Sequence, residues 1–390
     1  MQTRNLVRTV AQLVQAHPAD FYPGQPLIDW LQETGEADLA RINAFAVADS
    51  RGFLRDKLLA TFVRLVKEGV MNLNWDFHCT QCNAVAGSHR HLSDATAVDH
   101  CPLCNVDFRN TLDRNVEVTF TPAENLYRVS DRFQKEQLAK TVELHAKQQI
   151  RLPDVYVSGM DCLHVPLFRE IFESETLSLR ESLQIKQVCI MFTDIKGSTE
   201  LYDRFGDSVA YGLIRDHFDI LFECIERNEG VVVKTIGDAV MASFRSPRNG
   251  VAAALSIHEA FEIFNRRKGI RNEIQVKIGL HAGSTIMVNL NNRVDYFGQT
   301  VNMAARVQGV AQNDEVIISH AIRQDEDSVQ LLRARMESVT KRVVTLKGIS
   351  APQTVYRLNF GKSRLTQNAA GEDKEPAKAA VDATLLAPGA

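Results

Sequence analysis

The sequence predicts an α+β protein, and three observations carry that expectation. An apolar run, Val188-Cys189-Ile190-Met191, reads as a buried strand and leads through Phe192-Thr193-Asp194-Ile195-Lys196-Gly197-Ser198-Thr199 into a long amphipathic pattern. Residues 230–244 hold two β-rich runs around Gly237-Asp238, a pair that signals a tight hairpin. Helical spacing then alternates with apolar runs. Helices are expected over 199–227, 249–267, 299–311 and 320–332, with residues 251–255, 274–280 and 316–318 filling the core.

Taken from the start, 390 residues suffice for two or three domains. The 45 Lys and Arg against 48 Asp and Glu leave a net charge of −3, which gives no general affinity for nucleic acid. No run approaches a membrane-spanning length and Met1-Gln2-Thr3-Arg4 lacks a signal-peptide core, so a cytoplasmic protein without a membrane partner is expected. Residues 1–75 read as a helical region. Within it, Leu39, Ile42, Phe45 and Ala46 form one stripe, and Leu54, Leu58, Leu59, Phe62 and Leu65 another, with a break at Ser50-Arg51-Gly52. Few basic residues line the second helix, which disfavours DNA binding.

Residues 76–162 hold Cys79-Thr80-Gln81-Cys82 and Cys101-Pro102-Leu103-Cys104, two C-x₂-C pairs with 18 residues between them. Each pair turns tightly enough to present two thiolates to one ion. The spacing is that of a four-Cys structural zinc site, closed to catalysis. Cys162, Cys189 and Cys224 are isolated and read as small buried residues. Val116-Glu117-Val118-Thr119-Phe120 alternates as a strand does. Residues 163–186, with Leu167, Phe168, Ile171 and Phe172 at helical spacing, are expected to connect to a catalytic domain over 187–360. The tail, 361–390, lacks apolar periodicity and reads as disordered.

The chemistry lies in the second half. A carboxylate at a strand end, followed by a helix N-terminus, suits a cation with its phosphates: the free N–H groups and helix dipole favour phosphate, and Asp194 the cation. Read alone, Asp194 and Asp238 are equally turn residues. Across adjacent strands they can instead hold divalent ions between them. Likewise positions 299, 302, 306 and 309 share one helix face, which alone reads as a solvated stripe.

These motifs, with Asp295-Tyr296-Phe297-Gly298-Gln299-Thr300-Val301-Asn302-Met303-Ala304-Ala305-Arg306, resemble the catalytic domain of class III nucleotidyl cyclases over roughly residues 185–360. The resemblance implies a ferredoxin-like fold and conversion of a nucleoside triphosphate to a 3′,5′-cyclic monophosphate and pyrophosphate. It implies that Asp194, Asp238 and the carbonyl of Ile195 hold two Mg²⁺ or Mn²⁺ ions. Gly197, Ser198 and Thr199 then lie on the phosphates, Asn302 orients the ribose, and Arg306 stabilises the α-phosphate.

Lys234 and Asp295 match the purine-selecting pair. A Lys donates to adenine N1 and an Asp accepts from its 6-amino group, whereas guanine reverses both contacts. Guanylyl cyclases usually carry Glu and Cys there, so ATP is the implied substrate and cyclic AMP the product. The Asp295 position, Thr in bicarbonate-responsive relatives, argues against that regulation. Lys277 and Lys347 match phosphate-side cations, although each also reads as a solvated residue, and Lys196 is an exposed loop charge. Sites in this family form between two subunits, so a homodimer is implied, with Lys234 and Asp238 serving different sites.

The N-terminal half resembles zinc-ribbon modules ahead of some bacterial cyclase domains, which implies an unknown regulatory ligand or protein. The rivals are a guanylate cyclase and a catalytically silent nucleotide-binding dimer. A P-loop nucleotidase is excluded because the chain has no G-x₄-G-K-[ST] string.

Overall fold

The computed structural model of the chain describes residues 3–168, 181–267, 274–290 and 293–360. Five helices come first: α1 (Thr3–Ala16), α2 (Gln25–Glu33), α3 (Glu36–Leu39), α4 (Ala44–Arg51) and α5 (Arg55–Lys67). The expected break ends α4 because Gly52 takes a left-handed φ of 71° as C-cap, while Asn43 caps the start of the helix through Phe45 N and Ala46 N. Two residues of the expected stripes do not belong to the core. Ala46 is exposed, and Leu54, at 56% exposure, is the N-cap residue before α5 rather than part of its buried face. Ile42 is buried outside any helix, bridged to Phe120.

The strands β1 (Met71–His78), β2 (Val85–His89), β3 (Val98–Cys101), β4 (Val106–Arg109) and β5 (Val116–Pro122) follow, then the helices α6 (Asp131–Ala146) and α7 (Gly159–Leu163). β2-β1-β5 make an antiparallel sheet and β3-β4 a separate hairpin. The expected boundary between residues 75 and 76 falls inside β1, so helices and sheet on either side of it share one core.

The second half runs β6 (Leu183–Ile195), α8 (Ser198–Arg227), β7 (Gly230–Ile236), β8 (Ala239–Phe244), α9 (Pro247–Arg267), β9 (Val276–Leu290), β10 (Arg293–Phe297) and α10 (Gln299–Gly309). It closes with β11 (Val316–Ser319), α11 (His320–Arg323), α12 (Glu326–Arg335), β12 (Ser338–Val344) and β13 (Gln353–Asn359). β6-α8-β7-β8-α9-β9 is a β-α-β-β-α-β unit with the antiparallel strand order β9-β6-β8-β7, a ferredoxin-like arrangement. β11 extends it parallel to β9, and β10 folds back on β9. The helix expected over 320–332 is two, because Asp325 leaves the helix and its side chain caps Ser328 N at 2.9 Å. α8 is interrupted at Gly206, whose φ is 73°.

The apolar run of β6 is explained by cover on both faces. Cys189 and Met191 join the core under α8 and α9, whereas Ile190 and Phe192 join Ala304 of α10 together with Val165 and Phe168 from the N-terminal half. One glycine fixes where α10 lies: a Cβ at Gly279 would come within 2.1 Å of Gln308 N, so only glycine lets the helix seat this closely on β9.

Polar contacts tie the two halves. Arg245, after β8, donates to Asp161 of α7 at 2.8 Å, to Asp56 of α5 at 2.9 Å and to Glu229 at 2.9 Å. Leu112 N reaches Gln184 O at 2.9 Å. Of the expected connector, Phe168 is buried, while Ile171 and Phe172 lie outside the described residues, as does the tail after 360. Among the described residues no helix is long and apolar enough to cross a membrane.

Candidate active site

Antiparallel register builds the first group. Thr193 pairs with Val240, which brings the β7–β8 turn beside the end of β6, and the Ile195 N–H donates to Asp238 Oδ2 at 3.2 Å. Gly237 takes φ 63° in that turn, a conformation costly for any residue with a Cβ, and so leaves Asp238 at its tip. Asp194 pairs in register with Lys277, whose ammonium makes an ion pair with its carboxylate. Lys277, matched in the sequence to a phosphate-side cation, therefore sits on the Asp194 carboxylate. Gly197, with φ 67°, turns the chain from β6 into α8, which begins at Ser198. Thr199 is within that helix, and its side chain is outside the described set. Lys196 is exposed and donates to Asn313 at 2.5 Å.

The second group is Lys234 and Asp295. The Lys234 Nζ lies 2.5 Å from Asp295 Oδ2, and Asp295 Oδ1 accepts the Tyr296 N–H at 2.8 Å. Asp295 is 4% exposed, so its carboxylate needs both partners. The third group is Asn302 and Arg306, exposed on α10 with Gln299 and Gly309, while Ala304 and Val307 pack inward. Lys347 is exposed in the turn beside buried Leu346. Among the described residues no hydrogen bond or ion pair joins the three groups.

Beneath the site His217 of α8 is fully buried between the rings of Phe218 and Phe261, its nitrogens without a well-formed hydrogen bond. Burial pushes its pKa down to about 4 against smaller upward pulls from the Ile214 carbonyl and Asp194. A folded value below the unfolded one means a contribution present above about pH 6.5 and lost as pH falls toward 4. That loss is worth about 3 kcal/mol. Melting His217→Phe beside wild type from pH 7 to 4 should give a gap that widens with acid. Parallel curves would remove His217 as a source of acid sensitivity.

The four cysteines form one cluster, with all sulfurs within 4.8 Å of one another. Cys79–Cys104, Cys82–Cys101 and Cys82–Cys104 are separated by 3.5, 3.7 and 3.7 Å. Sulfurs placed about 2.3 Å from a tetrahedral ion lie about 3.8 Å apart, so the donors fit zinc in number, type and spacing. The two turns are alike. Asn83 and Asn105 are left-handed, and each N–H returns to the first cysteine's carbonyl at 2.9 Å. Burial raises the Cys101 thiol, but the Cys104 and Leu103 N–H groups and neighbouring thiols outweigh it and bring it to about 7.

Sequence reasoning missed Arg245 and its carboxylates, for which no local signal exists. It also missed β1, whose strict alternation of apolar and polar residues was a readable signal.

Residues 181–359 match the family described as adenylate and guanylate cyclase catalytic domain. Residues 7–194 match a family of unknown function, DUF5939. Receptor-type adenylate cyclase ESAG 4 of Trypanosoma brucei brucei is 25% identical over 210 residues, covering 45% of this chain and 17% of that protein. An adenylate cyclase of Lachancea kluyveri is 32% identical over 151 residues, covering 34% of this chain and 8% of that protein. This chain thus spans less than a fifth of either relative. A solved Trypanosoma brucei adenylate cyclase in its monomeric state is 25% identical, covering 44% of this chain and 89% of that one, with a TM-score of 0.38. The motifs around Asp194, Asp238 and Arg306 all lie inside the matched segment, and residues 181–359 of this chain form a domain of the adenylate and guanylate cyclase catalytic family.

Proposed function

We propose that the chain is an adenylate cyclase that makes 3′,5′-cyclic AMP and pyrophosphate from ATP in the cytoplasm, as a homodimer governed by its N-terminal half. The Lys234–Asp295 pair carries the choice of base. Its donor and buried acceptor are held together in one chain, where adenine can insert with every polar group satisfied. Guanine would set N1–H against the ammonium and O6 against the carboxylate, leaving buried groups unpaired.

Asp194, Asp238 and the Ile195 carbonyl would hold Mg²⁺ or Mn²⁺, hard cations matched to oxygen donors. When bound, such ions activate the ribose 3′ oxygen and neutralise charge on the triphosphate. With Asp194 given to a cation, Lys277 would be free to turn to phosphate, and Lys347 would add a second positive charge there. Gly197, Ser198 and Thr199 present the N-terminus of α8 to the phosphates. Arg306 stabilises charge on the α-phosphoryl oxygens and Asn302 positions the ribose.

Sharing between two copies is supported by the exposure of the α10 face and by the apolar residues around it. Ile236, beside Asp238, is 52% exposed, Phe297, beside Asp295, is 54%, and Ile286 and Leu290 on β9 are 38% and 47%. Exposed apolar groups this dense mark an interaction surface. The N-terminal half reaches the same sheet through Phe168 and through Asp56 and Asp161 on Arg245, which supports a role in setting dimer geometry, and a zinc ion in the four-cysteine cluster would fix the ribbon.

The test incubates full-length protein with ATP or GTP and Mg²⁺ or Mn²⁺, with Asp194→Asn as control. Cyclic AMP from ATP alone is expected. Cyclic GMP would overturn the base assignment, and neither product would favour the silent dimer.

A further inference from the structure

The strand β1 alternates throughout its length: Met71, Leu73, Trp75 and Phe77 join the hydrophobic core, and Asn72, Asn74, Asp76 and His78 turn to the opposite face. β5 repeats the pattern, with Val116, Val118 and Phe120 inward and Glu117, Thr119 and Thr121 opposite. Register sets Asn74 beside Thr119, and Asp76 beside Glu117 and Ser88. A polar sheet face of this kind ordinarily meets water. Here it is roofed: Asp76, His78, Glu117 and Thr119 are 4, 3, 2 and 1% exposed.

The roof is made by α3 with Arg41, by the segment after β5, and by α6. α6 has no buried residue of its own and is tied at its N-terminal end by Glu36 to Ser130 N at 2.7 Å. Between the roof and the part of the floor formed by Asn74, Asp76, Thr119 and Thr121 lies a cleft of about 810 Å³. Burying charge costs several kcal/mol per ion, and an apolar face would pack α6 more cheaply. A polar floor kept under cover around a cleft of this size is instead the anatomy of a small-molecule site.

The charge pattern selects the ligand. Asp76 is capped by Ser88 at 2.6 Å, Thr119 at 2.8 Å and Arg41 at 3.0 Å, so its oxygens are spent. Arg41 also donates to Glu117 at 2.6 Å, and Arg90 to Glu124 at 2.8 Å. The cations left facing the cleft are the half-exposed edge of Arg41, Arg128 (only loosely held by Asp131 at 3.9 Å) and Lys140 of α6. Asn74 and Thr121 supply neutral polar groups, and Tyr127 and Phe133 apolar walls.

We propose that this cleft binds a small polar organic anion, a phosphorylated or carboxylated metabolite of nucleotide size or less. Its charged group meets Arg128 and Lys140, its hydroxyl or amide groups meet the Asn74–Thr121 floor, and α6 closes over it. The proposal does not depend on cyclase activity.

The experiment titrates full-length protein with glucose 6-phosphate, citrate, AMP and, as a neutral control, glucose, by calorimetry and thermal melting. At least one anion should bind and raise the melting temperature by several degrees, with glucose inert. Whether the phosphates or citrate do so distinguishes the two anion types. Arg128→Ala/Lys140→Ala, both at the cleft rim, should weaken binding by about tenfold or more, which is about 1.4 kcal/mol. Asn74→Leu, on the floor, should weaken it as well while the protein stays folded. Binding by none of the anions overturns the proposal. So does binding that survives both variants, which would place the anion elsewhere, such as on the catalytic phosphate residues.

Discussion

Arg306→Ala is expected to lower turnover about 10²–10³-fold, the usual effect of removing a preorganised donor to developing negative charge. Because Arg306 is exposed on α10 and the packing of that helix rests on Ala304, Val307 and its close seat on Gly279, the melting temperature should not move. Asp194→Asn should be as inactive for a different reason, loss of the cation at the end of β6. Mixing the two inactive proteins is the sharper measurement. In an equal mixture half of the dimers pair one chain of each kind, and each such dimer has one site with both substitutions and one with neither. Activity should return to about one quarter of wild type. A mixture that stays silent while light scattering shows exchanged dimers would confine the site to one chain.

Cys101→Ser is expected to unfold the ribbon. The cluster of Cys79, Cys101 and Phe108 is a small core separate from the others, and Leu92 and Ala95 are the fully buried apolar residues by which 79–109 joins the main one. A two-stranded hairpin such as β3-β4 is marginal in water, while structural zinc in small fingers supplies about 10–16 kcal/mol. Elemental analysis should find one zinc per wild-type chain and less than stoichiometric zinc in the variant. Proteolysis should then cut within 79–109. The damage should spread to the α6 end, because Asn83 of the first cysteine turn donates to Ile150 O at 3.4 Å. Wild-type protein without zinc, or a variant with unchanged proteolysis, would turn the cluster into four free thiols.

The difference between what was legible and what was not follows from range. The Asp194 turn, the Gly237-Asp238 hairpin, the Asn302–Arg306 spacing and the two C-x₂-C pairs each put their chemistry within a few residues, where covalent geometry and one backbone conformation fix the arrangement. For the two C-x₂-C pairs the spacing itself suggested the metal, whereas Asp194, Asp238, Asn302 and Arg306 read alone as turn and surface residues and became a proposed site only through the family resemblance. The break between α11 and α12 was equally local, set by Asp325 as a cap, but helical periodicity ran through it and hid it.

Tertiary structure decided the remainder. Asp194 faces Lys277 across 82 intervening residues because β6 and β9 pair in one register. Arg245 gathers carboxylates from α5, α7 and the turn before β7, and Phe168 completes a core under a sheet that begins after it. The polar side of β1 shows the physical reason most plainly. Alternation determines which residues share a face, and it does so from sequence alone. What covers that face depends on where distant helices come to rest, and only the folded chain shows that Asp76 and Glu117 lie under a roof rather than in water.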